Sequence, residues 1–128
     1  MKVWHFENIV YVKHPEQCTA QLAKPIIDEA RVHMDAILSR HPKQVVFHDT
    51  QATKNVENGY LLAWSDVGKE YQSRSVYVAV VPNIWVRSLV KSVMFLGRFD
   101  VQIVKSFEEA AAALAKQGFT LRPETEPA

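Results

Sequence analysis

Ser75-Val76-Tyr77-Val78-Ala79-Val80-Val81 runs into Pro82-Asn83 and then into Ile84-Trp85-Val86-Arg87-Ser88-Leu89-Val90. The first stretch is rich in β-branched residues and lacks the alternation of a half-exposed strand. It reads as a central strand covered on both faces. Pro82 ends it, and Asn83 is suited to cap a helix. That helix is expected over residues 84–96, with Gly97 closing it in a left-handed conformation. A buried strand feeding directly into a helix is the unit of a parallel sheet, which predicts an α/β fold.

The pattern extends in both directions. Upstream, Val3-Trp4-His5-Phe6, the turn-like pair Glu7-Asn8 and Ile9-Val10-Tyr11-Val12 predict an antiparallel hairpin. Leu22, Ile26, Ile27, Ala30, Met34, Ile37 and Leu38 recur at helical spacing. Pro25 fits best near the first turn of that helix, so residues 18–24 are expected as a separate or kinked turn. His41-Pro42 ends the run. Residues 44–48 read as the third strand and residues 49–57 as a polar loop. Tyr60, Ala63, Trp64, Val67 and Tyr71 share one face of a second helix, and they and Trp4 read as core packing.

Downstream, residues 101–104 form the last strand. Ser106-Phe107-Glu108-Glu109 has the form of a capping box. Phe107, Ala110, Ala111 and Leu114 make the buried stripe of the helix it opens, and Gly118 stops it. The order is β-β-α-β-α-β-α-β-α: a mixed, mostly parallel sheet with flanking helices. Residues 1–120 form one domain, and residues 121–128, polar and proline-containing, form a flexible tail.

The chain has 128 residues, 48% of them apolar and 23% charged, with a net charge of +1. This is globular composition and argues against disorder. The charge gives no reason to expect a nucleic-acid partner. Cys18 is the one cysteine, which excludes a disulfide framework and a cysteine-rich zinc site. The first residues carry no apolar signal segment, and Arg87, Lys91 and Arg98 interrupt the apolar run that follows Ile84. A cytoplasmic protein is expected.

Two local patterns carry a family resemblance. Val45-Val46-Phe47-His48-Asp49 is a strand ending in Asp, with Val56-Glu57-Asn58-Gly59 at the next helix start. Val101-Gln102-Ile103-Val104 precedes a short Ala-rich helix. With the element order, these make residues 2–118 resemble a STAS domain, the anti-sigma-factor-antagonist fold, and in particular its SpoIIAA-like members. The resemblance implies a regulatory module acting through protein–protein contacts. Members that switch by phosphorylation carry Ser or Thr at the helix start, where phosphate adds roughly −1.5 to −2 charge. Glu57, Asn58 and Gly59 stand there instead, and Thr50 and Thr53 lie off the motif. A conventional phospho-switch is therefore not expected. The SpoIIAA-like members imply an alternative: a carrier or peripheral membrane-associated protein that takes an apolar ligand or lipid.

No enzyme signature stands out. His5, His14, His33, His41 and His48 show no zinc spacing, and no P-loop, dinucleotide fingerprint or nucleophile elbow is present. His5 and His48, on neighbouring strands with Asp49, make a weak acid/base or metal candidate. Packing accounts for them more simply. Cys18 reads as an inert thiol. No catalytic residue, metal ligand or cofactor is expected.

The helix over residues 84–96 is apolar around most of its circumference. Projection places Arg87, Lys91 and Arg98 in a narrow stripe, flanked by Ile84, Val90, Met94 and Phe95, with Trp85, Leu89, Val93 and Leu96 opposite. One apolar face suffices to cover a sheet, so the surplus must meet a neighbouring helix, a partner chain, an apolar ligand or a membrane. The partner surface is expected at Asp49, Thr50, Glu57, Asn58, Gly59, Arg87, Lys91 and Arg98. The apolar-ligand or membrane surface is expected at Trp64, Trp85, Met94 and Phe95, with Trp64 and Trp85 lining a shared pocket.

Overall fold

β6 (Ser75–Val80) lies inside a five-stranded sheet in the computed structural model, which describes residues 2–122. The other strands of this sheet are β1 (Val3–Phe6), β2 (Ile9–Lys13), β4 (Gln44–Asp49) and β7 (Gln102–Val104). Their order is β1-β2-β4-β6-β7. β1 and β2 are antiparallel, joined by a turn in which Glu7 has φ of 54°. All other neighbours are parallel, with Val46 beside Tyr77 and His48 beside Ala79. Two short segments missed in the polar stretches, β3 (Gln17–Cys18) and β5 (Asn55–Val56), pair with each other. Two residues give no periodicity to read.

Four helices flank the sheet: α1 (Ala20–Leu38), α2 (Asn58–Glu70), α3 (Ile84–Leu96) and α4 (Phe107–Ala115). The strand order advances in one direction, so right-handed crossovers put α1, α2 and α3 on one face. Val10, Val12, Val46, Tyr77 and Ala79 meet them there. On the other face Trp4, Tyr11, Val45, Phe47, Val78 and Val80 pack against Ala110 and Leu114 of α4 and against Leu121. Both faces of β6 are covered, as its unbroken apolar run requires.

Local chemistry sets the helix ends. Asn83 Oδ1 accepts from Trp85 N at 2.9 Å and Val86 N at 3.2 Å. Ser106 Oγ accepts from Glu109 N, and the Glu109 carboxylate accepts from Lys105 N. Gly118 ends the last helical segment with φ of 87°.

Three expectations need correction. α1 is continuous through Pro25. Pro25 is the sixth residue of α1, so the Gln21 carbonyl lacks its helical donor, and the burial of Ala23, Ile26, Ile27 and Ala30 around it holds the helix together. Gly97 is right-handed (φ −77°), and Arg98 takes the left-handed position (φ 53°). Gly97 serves close approach instead, since a Cβ there would lie 2.9 Å from Ser65 Oγ. Residues 121 and 122 do not belong to a tail. Leu121 is buried, and Arg122 N donates to the Tyr11 hydroxyl at 3.2 Å. The rest of the expected tail, residues 123–128, lies outside the described residues.

Candidate functional site

A cavity of about 50 Å³ lies between the sheet and α3. It sits at the carboxyl ends of the parallel strands, the usual ligand position in open α/β sheets. His14 follows β2, His48 is near the end of β4, and Ala79 and Val81 come from the end of β6. Tyr60, Leu61 and Trp64 enter from α2, and Val86, Val90 and Met94 form the α3 wall. Phe99 and Val101 complete the apolar side, and Thr50 and Cys18 stand near the polar end.

The polar end is a chain of rings. His14 Nδ1 pairs with the Tyr60 hydroxyl at 2.5 Å, and His14 Nε2 pairs with His48 Nδ1 at 2.8 Å. The Trp64 ring stands edge-on to His48 (84°, centroids 4.8 Å) and to His14 (76°, 5.5 Å). Trp64 Nε1–H is buried beside the Tyr60 hydroxyl and makes no well-aligned hydrogen bond among the described residues. Thr50 Oγ1 donates to Val80 O, and Cys18 Sγ donates to Pro15 O.

The site is electrically neutral. No Asp, Glu, Lys or Arg lines it. Burial, helped by the neighbouring His48, holds His14 well below the ordinary histidine range. Burial alone brings His48 down to about 4. Burial also raises the Tyr60 phenol and the Cys18 thiol, so both keep their protons at neutral pH. A protonated, buried thiol is a poor nucleophile.

The structure redistributes the residues expected to act together. Trp64 and Met94 line the cavity, whereas Trp85 and Phe95 face outward. Trp64 and Trp85 therefore share no pocket. Arg87 turns back to donate to Val81 O at 3.0 Å, so it braces the β6–α3 connection. Lys91 and Arg98 are exposed. Val93, placed opposite the cations, is buried with Val86, Val90 and Met94.

At the start of α2, the Glu57 carboxylate accepts from Ala20 N at 2.7 Å and caps α1. A Cβ on Gly59 would lie 2.9 Å from Ala20 Cβ. Glu57 and Gly59 thus knit two helix starts together, and Asn58 is exposed beside them. Asp49 caps Gln51 N within the loop, and Thr50 reaches the cavity. His5 is not beside His48: its Nδ1 meets His33 Nδ1 of α1 at 2.6 Å. No cluster of three or more metal-ligating side chains occurs among the described residues.

His14 and Tyr60 are polar residues that the sequence reading missed as site members, as it missed the apolar lining from Leu61, Ala79, Val86, Val90 and Phe99. Tyr60 was legible as buried, but its partner lies 46 positions away and no local spacing links them.

No family model and no curated protein matches the chain. Among solved structures, the NMR structure of the protein TM1081 is similar, with a TM-score of 0.60 and 15% sequence identity. The similarity covers 89% of this chain and 87% of that one. At this identity it supports the mixed α/β architecture and nothing finer. No helix among the described residues is long and apolar enough to cross a membrane.

Proposed function

We propose that the protein is a non-catalytic, STAS-like cytoplasmic module that acts through protein–protein contacts, beginning with a second copy of itself. The observation that carries this reading is the outer face of α3. Ile84 is 63% exposed, Trp85 83%, Phe95 82% and Leu96 80%. Four large apolar side chains exposed at the two ends of one short helix face are of the kind that marks an interaction site.

The pattern is self-complementary. Two α3 helices packed antiparallel about Val90 set Ile84 against Leu96 of the second copy and Trp85 against Phe95. Ser88 then meets Ser92 at the crossing, where small side chains let the helices approach. A two-fold axis requires such reciprocal pairing. The uncharged lining of the cavity, with its thiol and phenol held protonated, supports the non-catalytic part of the reading.

Sedimentation velocity tests it. A concentration-dependent dimer is expected, and Trp85→Ser with Phe95→Ser should return it to monomer without changing the fold. A wild-type monomer at all concentrations, or a dimer that survives both substitutions, would overturn the reading. Monomers that bind anionic vesicles through the same side chains would replace it with the membrane-associated alternative.

A second reading, a carrier of a small apolar molecule, is supported by the cavity beneath α3. Its walls are mostly aliphatic and aromatic, and it lies where α/β sheets hold ligands.

A further inference from the structure

The ring chain sets a hydrogen-bond donor at the polar end of the cavity. The Tyr60 phenol has one proton to place. Given to His14 Nδ1, it leaves no buried donor at Tyr60 unmatched. Turned away, it finds only the sulfur of Cys18 nearby, a weak acceptor. Buried donors take the arrangement that satisfies them. His14 then carries its proton on Nε2 and donates to His48 Nδ1. His48 in turn carries its proton on Nε2, which has no partner among the described residues. Trp64 Nε1–H is closed off from the cavity space and lies by the Tyr60 hydroxyl, so it is not a second donor to the cavity.

A neutral N–H donor beside apolar walls calls for an acceptor without charge. An anion would be buried with no cation to meet it. The volume limits size. About 50 Å³ is a third of the roughly 150 Å³ that accommodates benzene in an engineered cavity. A molecule of a few heavy atoms fits.

Resting on the ligand reading of this cavity, we propose that it binds a small uncharged carbonyl compound. The carbonyl oxygen accepts from His48 Nε2–H, and the apolar end lies against Val90 and Met94 of α3.

Acetone and its isostere isobutene test this, because they differ in the C=O that the donor would recognise. The chain has three tryptophans, so three indole N–H signals report separately on the cavity (Trp64), the outer face of α3 (Trp85) and the opposite face of the sheet (Trp4). Acetone is expected to shift the Trp64 indole and His48 Nε2 signals to saturation while Trp4 and Trp85 stay still. Both histidines should appear as Nε2–H tautomers. Isobutene should bind about tenfold more weakly, the worth of one net hydrogen bond. His48→Phe should remove that difference. Ala79→Val, which fills the cavity while keeping His48 and Trp64 in place, should block both probes.

Equal binding of the two probes would overturn the carbonyl inference and leave the carrier reading standing. Failure of both to saturate the Trp64 shift would overturn the two together. A response unchanged by Ala79→Val would place binding outside the cavity and also overturn the proposal.

Discussion

His14 and His48 tie a buried hydrogen-bond chain to the pH dependence of folding. Their folded-state affinities for protons lie below the unfolded value near 6.5, because burial disfavours the charged rings. The unfolded chain therefore binds more protons below that pH, and stability is complete above it and falls as pH drops toward 4. For His48 alone the loss between pH 6.5 and 5 is about 2 kcal/mol. His14 adds a loss of the same sign. Urea unfolding of the wild type at pH 7 and pH 5 should show at least this loss. His48→Phe should be less stable at pH 7 and clearly flatter across the window. A wild-type profile that is flat between these pH values would mean that the pair is hydrated and not held neutral. The ring chain was invisible in the sequence because its members come from three elements and form no motif. Cys18 was legible as inert from its lack of activating neighbours, and its raised thiol agrees.

At the scale of elements, the local punctuation was legible and the tertiary close approaches were not. Asn83 and Ser106 cap as their identities and spacing predict. Asn83→Ala should lower stability by about 1 kcal/mol, and Asn83→Asp should keep most of it, as thermal unfolding will read. Gly97 was misread because glycine after a helix ordinarily supplies the left-handed turn. Here the space beside Ser65 required glycine, and Arg98 took the turn. Gly68 makes the same point inside α2. A Cβ there would lie 2.3 Å from Phe99 Cζ, so the ring rests directly on the helix backbone. Phe99 also packs edge-on to Tyr77 at 4.8 Å, and the Tyr77 hydroxyl donates to Gly68 O at 2.8 Å. The ring is thus held between α2 and β6 and has little room to yield. Gly68→Ala should destabilise by roughly 1–3 kcal/mol despite the better helix propensity of alanine. Phe99→Leu in the same background should recover part of the loss, which separates a steric cause from a backbone one.

At the scale of the molecule, the two faces of the sheet are covered unequally. Three crossover helices shield one face, and α4 with the segment after it must shield the other. Element order alone predicted a mixed, mostly parallel sheet with flanking helices, because strands alternating with helices pair in parallel through right-handed crossovers. It did not predict how the second face is closed. α4 spans nine residues and cannot reach across all five strands. Tyr11, on β2, and Trp4, on the edge strand β1, stack at 5.5 Å, far along the sheet from the β7 side. The chain after Gly118 supplies the missing cover. Phe119 packs partly on this cluster, Leu121 is 7% exposed, and Arg122 N reaches the Tyr11 hydroxyl. Polar, proline-containing composition hid this role, since one leucine in such a stretch has no periodicity. Leu121→Ala should then behave as a core truncation and cost about 2 kcal/mol or more, measured by urea unfolding. A loose tail would give a change within about 0.5 kcal/mol. The same substitution should leave the α3 surface, and so the monomer–dimer equilibrium, unaltered, because the sheet stands between the two. Loss of dimer in Leu121→Ala at full folding would show that the two faces are coupled through the sheet.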